Sequence, residues 1–299
     1  MNKLPTLKHK IFKTKSGEEI SYYQGQPQEK KILLIHGNFS SASEWKELVA
    51  KLENKYELLV PDLRGFGDSS YNNPTSDLID LAVDLKELVD EVAWNTFSVI
   101  GWSLGGGVSA EFAHLLPEKV EKLILTASMG LTGYPMFQIT EEGFQFDKPL
   151  TTKEEIATSL YYLPGYTAAA NKDVPTLEDA VKALFAKVEP TQDFLDHMTT
   201  SMMEQKHLLD MDYALLKYNI SDQVNTSNFE GSGHYKDLTM PILILHGDKD
   251  MMVDQSLAKA NKELLGDKAE IHIFEGAGHS LHLEVEEEWD QIVEEFIER

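Results

Sequence analysis

The chain contains no cysteine, which excludes a disulfide framework, a thiolate metal site and a cysteine nucleophile. A chain without disulfides suits a reducing compartment, and a cytoplasmic location is the expectation. No apolar run approaches the roughly 18 residues a membrane span requires, so no spanning helix is expected. The start, MNKLPTLKHKIFKTKSG, is basic but lacks the uninterrupted apolar stretch of a secretory signal. Positive charge is scarce: 27 Lys plus Arg stand against 50 Asp plus Glu, a formal net charge of −23. A polyanion such as nucleic acid is therefore not an expected partner. Low-complexity segments and internal repeats are lacking as well, which argues against disorder.

What remains is the composition of a globular protein, 42% hydrophobic and 26% charged over 299 residues. That length suits one sizeable domain with an insertion, or two smaller domains. The acid excess reads as solubility. In HLEVEEEWDQIVEEFIER, for example, Val285, Trp289, Ile292, Val293 and Phe296 form one helical stripe with the acids facing outward.

The first part alternates strand-like and helix-like stretches. HKIFKTKSGEEISYYQG predicts a hairpin turning at Ser16-Gly17. KKILLIHG and YELLVPDLRG are apolar strands, the second closed by Pro61. SASEWKELVAKLEN has a helical period with Ser43 as the expected N-cap, and SDLIDLAVDLKELVDEV is an amphipathic helix. FSVIG and VEKLILTAS are further buried strands, so a mostly parallel sheet flanked by helices is predicted. From Met129 to Asp237 the strand pattern stops. Helical stretches appear there, TLEDAVKALFAKV and QDFLDHMTTSMMEQKHLLDMDYALLKY, separated by the turn-prone LPGYTAAANKDVP and NTSNFEGSGHY. The alternation resumes at MPILILHGDKD. The expectation is an α/β core from residues 1–128 and 238–299, interrupted by a helical cap at 129–237 that covers the strand ends.

Within FSVIGWSLGGGVSAEFAH, Ser103 lies in a G-x-S-x-G pattern where a buried strand turns into a helix. That context suits a nucleophile elbow, in which close glycines make room for an exposed, strained serine. The following helix N-terminus presents free N–H groups to developing negative charge. A serine hydroxyl needs a base, and the base an orienting acid. His279, past the strand in IHIFEGAGH, is the candidate base. Asp250, at the end of ILILHGDKD, is the preferred acid, with Asp248 the alternative and the expected turn-former. An oxyanion hole would use the N–H of Leu104 and that of Asn38 in LLIHGNFSS, with Phe39 the near alternative.

These residues, with His36-Gly37, DLRGFGDSS from Asp62 to Ser70, GWSLGG and GAGH, resemble the α/β-hydrolase superfamily over nearly the whole chain. The resemblance implies the α/β-hydrolase fold with a cap, and a Ser103–His279–Asp250 triad with Asn38 and Leu104 amides. Branches with an aspartate nucleophile, the haloalkane dehalogenases and epoxide hydrolases, do not fit Ser103. The HGGPG of proline iminopeptidases is not matched by HGNFS.

Trp102 and Phe39 could line the pocket, although aromatic residues more often serve the core. Met198, Met202 and Met203 could form its wall, with packing inside the cap as the ordinary use. His36 is expected to hold a turn. His279 and His282 lack the accompanying carboxylate–histidine set of a metal site, so no metal or cofactor is expected. The expected activity is hydrolysis of a small-molecule carboxylic ester, with lactones and thioesters as related acyl substrates. Cleavage of C–C bonds in β-diketone-like compounds, or ligand binding without turnover, are the alternatives. No motif specifies acyl preference or oligomeric state.

Overall fold

The computed structural model describes residue 4 and residues 6–299. The described residues contain ten strands: β1 (Lys8–Lys13), β2 (Glu19–Gln24), β3 (Lys31–Ile35), β4 (Glu57–Pro61), β5 (Phe97–Trp102), β6 (Val120–Thr126), β7 (Phe137–Thr140), β8 (Gly143–Pro149), β9 (Ile242–Gly247) and β10 (Ala269–Phe274). Eight of them form one sheet in the order β1-β2-β4-β3-β5-β6-β9-β10. β1, β2 and β4 pair antiparallel, and every pair from β4 to β10 is parallel. The β1–β2 hairpin turns through Gly17, whose φ of 92° suits a residue without a side chain.

The parallel strands are apolar because both faces are covered. Leu33 and Ile35 of β3 enter one core with Val99, Leu123 and Ile244, while Ile32 and Leu34 enter the other with Ile100, Ile124 and Leu245. This is the two-residue alternation of a pleated strand. Helices α1 (Lys46–Leu52), α2 (Leu78–Glu91) and α3 (Leu104–Leu115) follow β3, β4 and β5. Leu81, Leu85 and Leu88 of α2 and Val108 and Phe112 of α3 cover the first face. Leu48 and Leu52 of α1 cover the second.

Between β6 and β9 the chain forms the β7–β8 hairpin and five helices. These are α4 (Lys153–Ala157), α5 (Tyr162–Asn171), α6 (Val174–Lys182), α7 (Gln192–Glu204) and α8 (Leu208–Lys217). The remaining helices are α9 (Gln255–Leu265), α10 (Leu281–Glu284) and α11 (Glu286–Glu298). α11 buries Trp289, Val293 and Phe296 on the second face. Among the described residues no helix is long and apolar enough to cross a membrane.

Three local expectations are corrected. Ser41, not Ser43, is the cap: its hydroxyl accepts the Ser43 N–H at 3.4 Å and starts a 3₁₀ turn at Ala42–Trp45 ahead of α1. The chain is fixed one step earlier because Asp62 Oδ1 accepts the Ala42 N–H at 2.8 Å. LPGYTAAANKDVP is largely α5 rather than a loop. Pro164 stands in the first turn of α5, where no intrahelical N–H donor is required. The stretch from Gln192 to Lys217 is two helices, not one, broken at Gln205–His207. Core contacts hold the break: the Lys206 N–H donates to Gly65 O at 2.8 Å, and Lys206 Nζ donates to Ser69 O at 2.6 Å.

Candidate active site

Ser103 stands immediately after β5 with φ 57° and ψ −120°. A non-glycine residue there carries backbone strain, of the order of 1–3 kcal/mol, which the surroundings must enforce. The neighbouring glycines allow the turn to close. A Cβ on Gly105 would lie 2.3 Å from the Ile35 carbonyl oxygen, and one on Gly101 would lie 2.2 Å from Ser109 Oγ. Backbone and hydroxyl occupy the space that side chains would need, so β3, β5 and α3 meet only through glycine.

Asp250 follows β9 and His279 follows β10, so both leave the same edge of the parallel sheet as Ser103. Asp250 Oδ2 lies 2.7 Å from His279 Nδ1, with both side chains buried. The other carboxylate oxygen accepts the N–H groups of Met252 (2.8 Å) and Val253 (2.9 Å). Burial pushes the Asp250 pKa up, but the charge and hydrogen bond of His279 outweigh it and hold the carboxyl below its ordinary value. An ionised partner on Nδ1 favours the tautomer with its proton there, leaving a lone pair on Nε2. The Trp102 indole N–H donates to the His279 carbonyl at 3.0 Å and helps to fix the loop. Among the described residues no hydrogen bond joins Ser103 Oγ to the imidazole, although both residues line one cavity. Such bonds are often long in unliganded enzymes and tighten around substrate.

Asp248 has a separate task. Its Oδ1 accepts the Gly276 N–H at 2.7 Å, tying the turn after β9 to the loop after β10. His36 accepts the Leu63 N–H on Nε2 at 3.0 Å and faces Gly37 O with Nδ1 at 2.8 Å, inside the core. His282 lies 3.1 Å from Glu44, away from the partner of His279.

The cavity measures about 260 Å³. Asn38, Phe39, Trp102, Ser103, Leu104 and His279 line it from the sheet side. Met198 and Met202 line it from α7; Met203 does not. The Phe39 N–H is already engaged, donating to Gln205 Oε1 at 2.8 Å. Among the described residues the Asn38 and Leu104 N–H groups have no protein acceptor.

Four residues absent from the sequence reading shape the site. Asp212 on α8 lines the cavity and is 4% exposed. Its Oδ1 accepts from Asn38 Nδ2 at 3.0 Å and its Oδ2 from the Tyr166 hydroxyl. Burial lifts its pKa to about 6, against the lowering effect of those two bonds. Gln205, at the break between α7 and α8, donates to Asn38 Oδ1 at 2.7 Å and thereby completes the chain Asp212–Asn38–Gln205–Phe39. Glu284 accepts from the N–H groups of Gly278, Ala186 and Lys187 at 2.7–2.9 Å, joining the His279 loop to the segment after α6. One signal was present for Asp212: it shares a helical stripe with Leu208, Leu209, Leu215 and Leu216, an acid on an apolar face. Gln205, Tyr166 and Glu284 had none.

Comparison with known proteins agrees with this architecture. The chain is 34% identical over 101 residues to an uncharacterized protein of Mycobacterium tuberculosis. That match covers 34% of this chain and 30% of the other, so the chain spans under a third of that relative's length. A pimeloyl-[acyl-carrier protein] methyl ester esterase of Aliivibrio fischeri is 27% identical over 272 residues, covering 87% of this chain and 90% of that protein. An esterase from Exiguobacterium antarcticum shares the fold with a TM-score of 0.76 at 18% identity, covering 98% and 100% of the two chains. A bromoperoxidase from Bacillus anthracis does so with a TM-score of 0.74 at 20% identity, covering 98% and 100%. The alpha/beta hydrolase fold profile matches residues 30–285, and the chain belongs to that hydrolase family.

Proposed function

We propose that this protein is a serine hydrolase of carboxylic esters, acting through an acyl-enzyme on Ser103. The observation that carries the reading is the 2.7 Å His279–Asp250 contact, set beside a strained Ser103 at one cavity. In this reading Ser103 Oγ attacks the ester carbonyl and passes its proton to His279 Nε2. The Asn38 and Leu104 N–H groups receive the oxyanion, supported by the positive end of α3. The alkoxide leaves with the His279 proton, and water, deprotonated by His279, then releases the acid and restores Ser103. Asp250 keeps the imidazole oriented. Residues 129–237 act as the cap: Tyr134, Val181, Met198 and Met202 supply its part of the wall.

The test is hydrolysis of p-nitrophenyl esters of increasing acyl length by the wild type and Ser103→Ala. The expected outcome is a loss of at least about 10³-fold in kcat with an unchanged melting transition. Full activity in the variant would overturn the reading. Turnover of β-diketones but no ester would favour C–C cleavage instead.

A further inference from the structure

Asp212 is the acidic side chain among the described residues lining the cavity. Holding Asn38 does not require a charge there, because an amide or hydroxyl oxygen would accept from Asn38 Nδ2 equally well. A buried carboxylate is costly unless something offsets it. Burial and the two hydrogen bonds are the influences on it, and none comes from Lys, Arg or His. Each carboxylate oxygen has room for two donors, and each receives one here, from Asn38 and from Tyr166. One acceptor position therefore remains open on each.

The surroundings suit the same kind of ligand. Tyr134, Tyr161, Tyr162 and Tyr166 line this cavity, and tyrosine ring faces attract cations. Burial, reinforced by the Asp212 charge, keeps the Tyr162 and Tyr166 hydroxyls protonated. Apart from Asn38, Ser103 and His279, the rest of the wall is largely apolar, with Met136, Leu184 and Leu215 among its residues. At long range, a formal net charge of −23 draws cations toward the protein and repels anionic esters.

We propose that the substrate of this site carries a protonated amine, which sits against the open acceptor positions of Asp212 among the four tyrosines. The proposal rests on the ester-hydrolase reading for the reaction, but the amine site stands on its own geometry. The chemical class follows: small esters with an ammonium group. Neutral fatty esters and anionic acyl groups are disfavoured.

Binding separates the two claims. Alkylammonium ions from propyl to hexyl are compared with alcohols of the same chain length, at constant ionic strength and neutral pH. Dissociation constants are measured by titration calorimetry on Ser103→Ala, and inhibition constants against p-nitrophenyl acetate on the wild type. The expected result is that at one or more lengths the ammonium binds at least tenfold more tightly than the alcohol. In Asp212→Asn that ratio should fall to near one. Equal or weaker ammonium binding at every length would overturn the proposal, as would a preference that survives in Asp212→Asn. If Asp212→Asn fails to fold, the ammonium-to-alcohol ratio in the other two proteins still decides the outcome. Ammonium-selective binding without ester turnover would refute the hydrolase reading and leave the amine site standing. Ester turnover without that selectivity would do the reverse.

Discussion

Asp248 and Asp250 leave the same strand end, yet their carboxylates turn to different partners. Asp250 meets His279 Nδ1, whereas Asp248 accepts the Gly276 N–H. Asp250→Asn should lower kcat by about 10⁴-fold, because an amide at that position stabilises the wrong imidazole tautomer. Asp248→Ala should keep kcat within a few-fold and instead lose about 1 kcal/mol of stability. Steady-state kinetics and urea titration on the two variants would check this. Asp212 gives a pH signature of its own. Its folded pKa of about 6 lies above the ordinary 3.8, so the folded state binds the proton more tightly than the unfolded chain. Its contribution is most favourable below about pH 4 and is lost as pH rises through about 6, by on the order of 3 kcal/mol. Tyr134, Tyr162 and Tyr166 stay protonated throughout that interval because burial raises their pKa values. Urea midpoints at pH 4.5 and 7.5 should therefore converge in Asp212→Asn relative to the wild type. A variant with the same pH slope as the wild type would contradict the assignment.

The elements that carry these residues were legible to different degrees. Buried strands such as Ile32–Ile35 announce themselves, because no polar residue interrupts a run that must be covered on both faces. The elbow was legible for the same reason, with Gly101 and Gly105 forced by contacts that only the strand–helix junction produces. Local rules failed where tertiary contacts decide. Pro164 signals a break in sequence but is harmless in a first helical turn, and the α7–α8 break follows from the anchoring of Gln205 and Lys206 to the core. The placement of the His279 loop was equally hidden, since Glu284 acts through N–H groups about 100 residues away in sequence. Glu284→Ala orphans those two groups and the nearby Gly278 N–H, and a loss of about 3 kcal/mol is expected. kcat should fall with it, because the His279 N–H also hangs on the Leu184 carbonyl at 2.7 Å from that same segment. Chemical denaturation and ester kinetics on the variant would show the two effects together. A stability within 0.5 kcal/mol of the wild type, the ordinary range for surface changes, would contradict this role for Glu284.

Across the whole molecule, the parts of the site come from opposite ends of the chain. Asn38, Ser103, Asp250 and His279 follow four different strands, β3, β5, β9 and β10, and meet because parallel strands end at one edge. The segment between β6 and β9 gives the cavity its four tyrosines, its single acid and four of its five methionines, Met252 lying after β9. Sequence motifs named the strand-end residues but could not show which residues of the long segment between β6 and β9 line a cavity with them. Nucleophilic chemistry at Ser103 is tested by the intact mass after incubation with a serine-reactive phosphonate, followed by peptide mapping. One adduct is expected, on Ser103, and none in Ser103→Ala. An adduct elsewhere, or equal labelling of the variant, would contradict it.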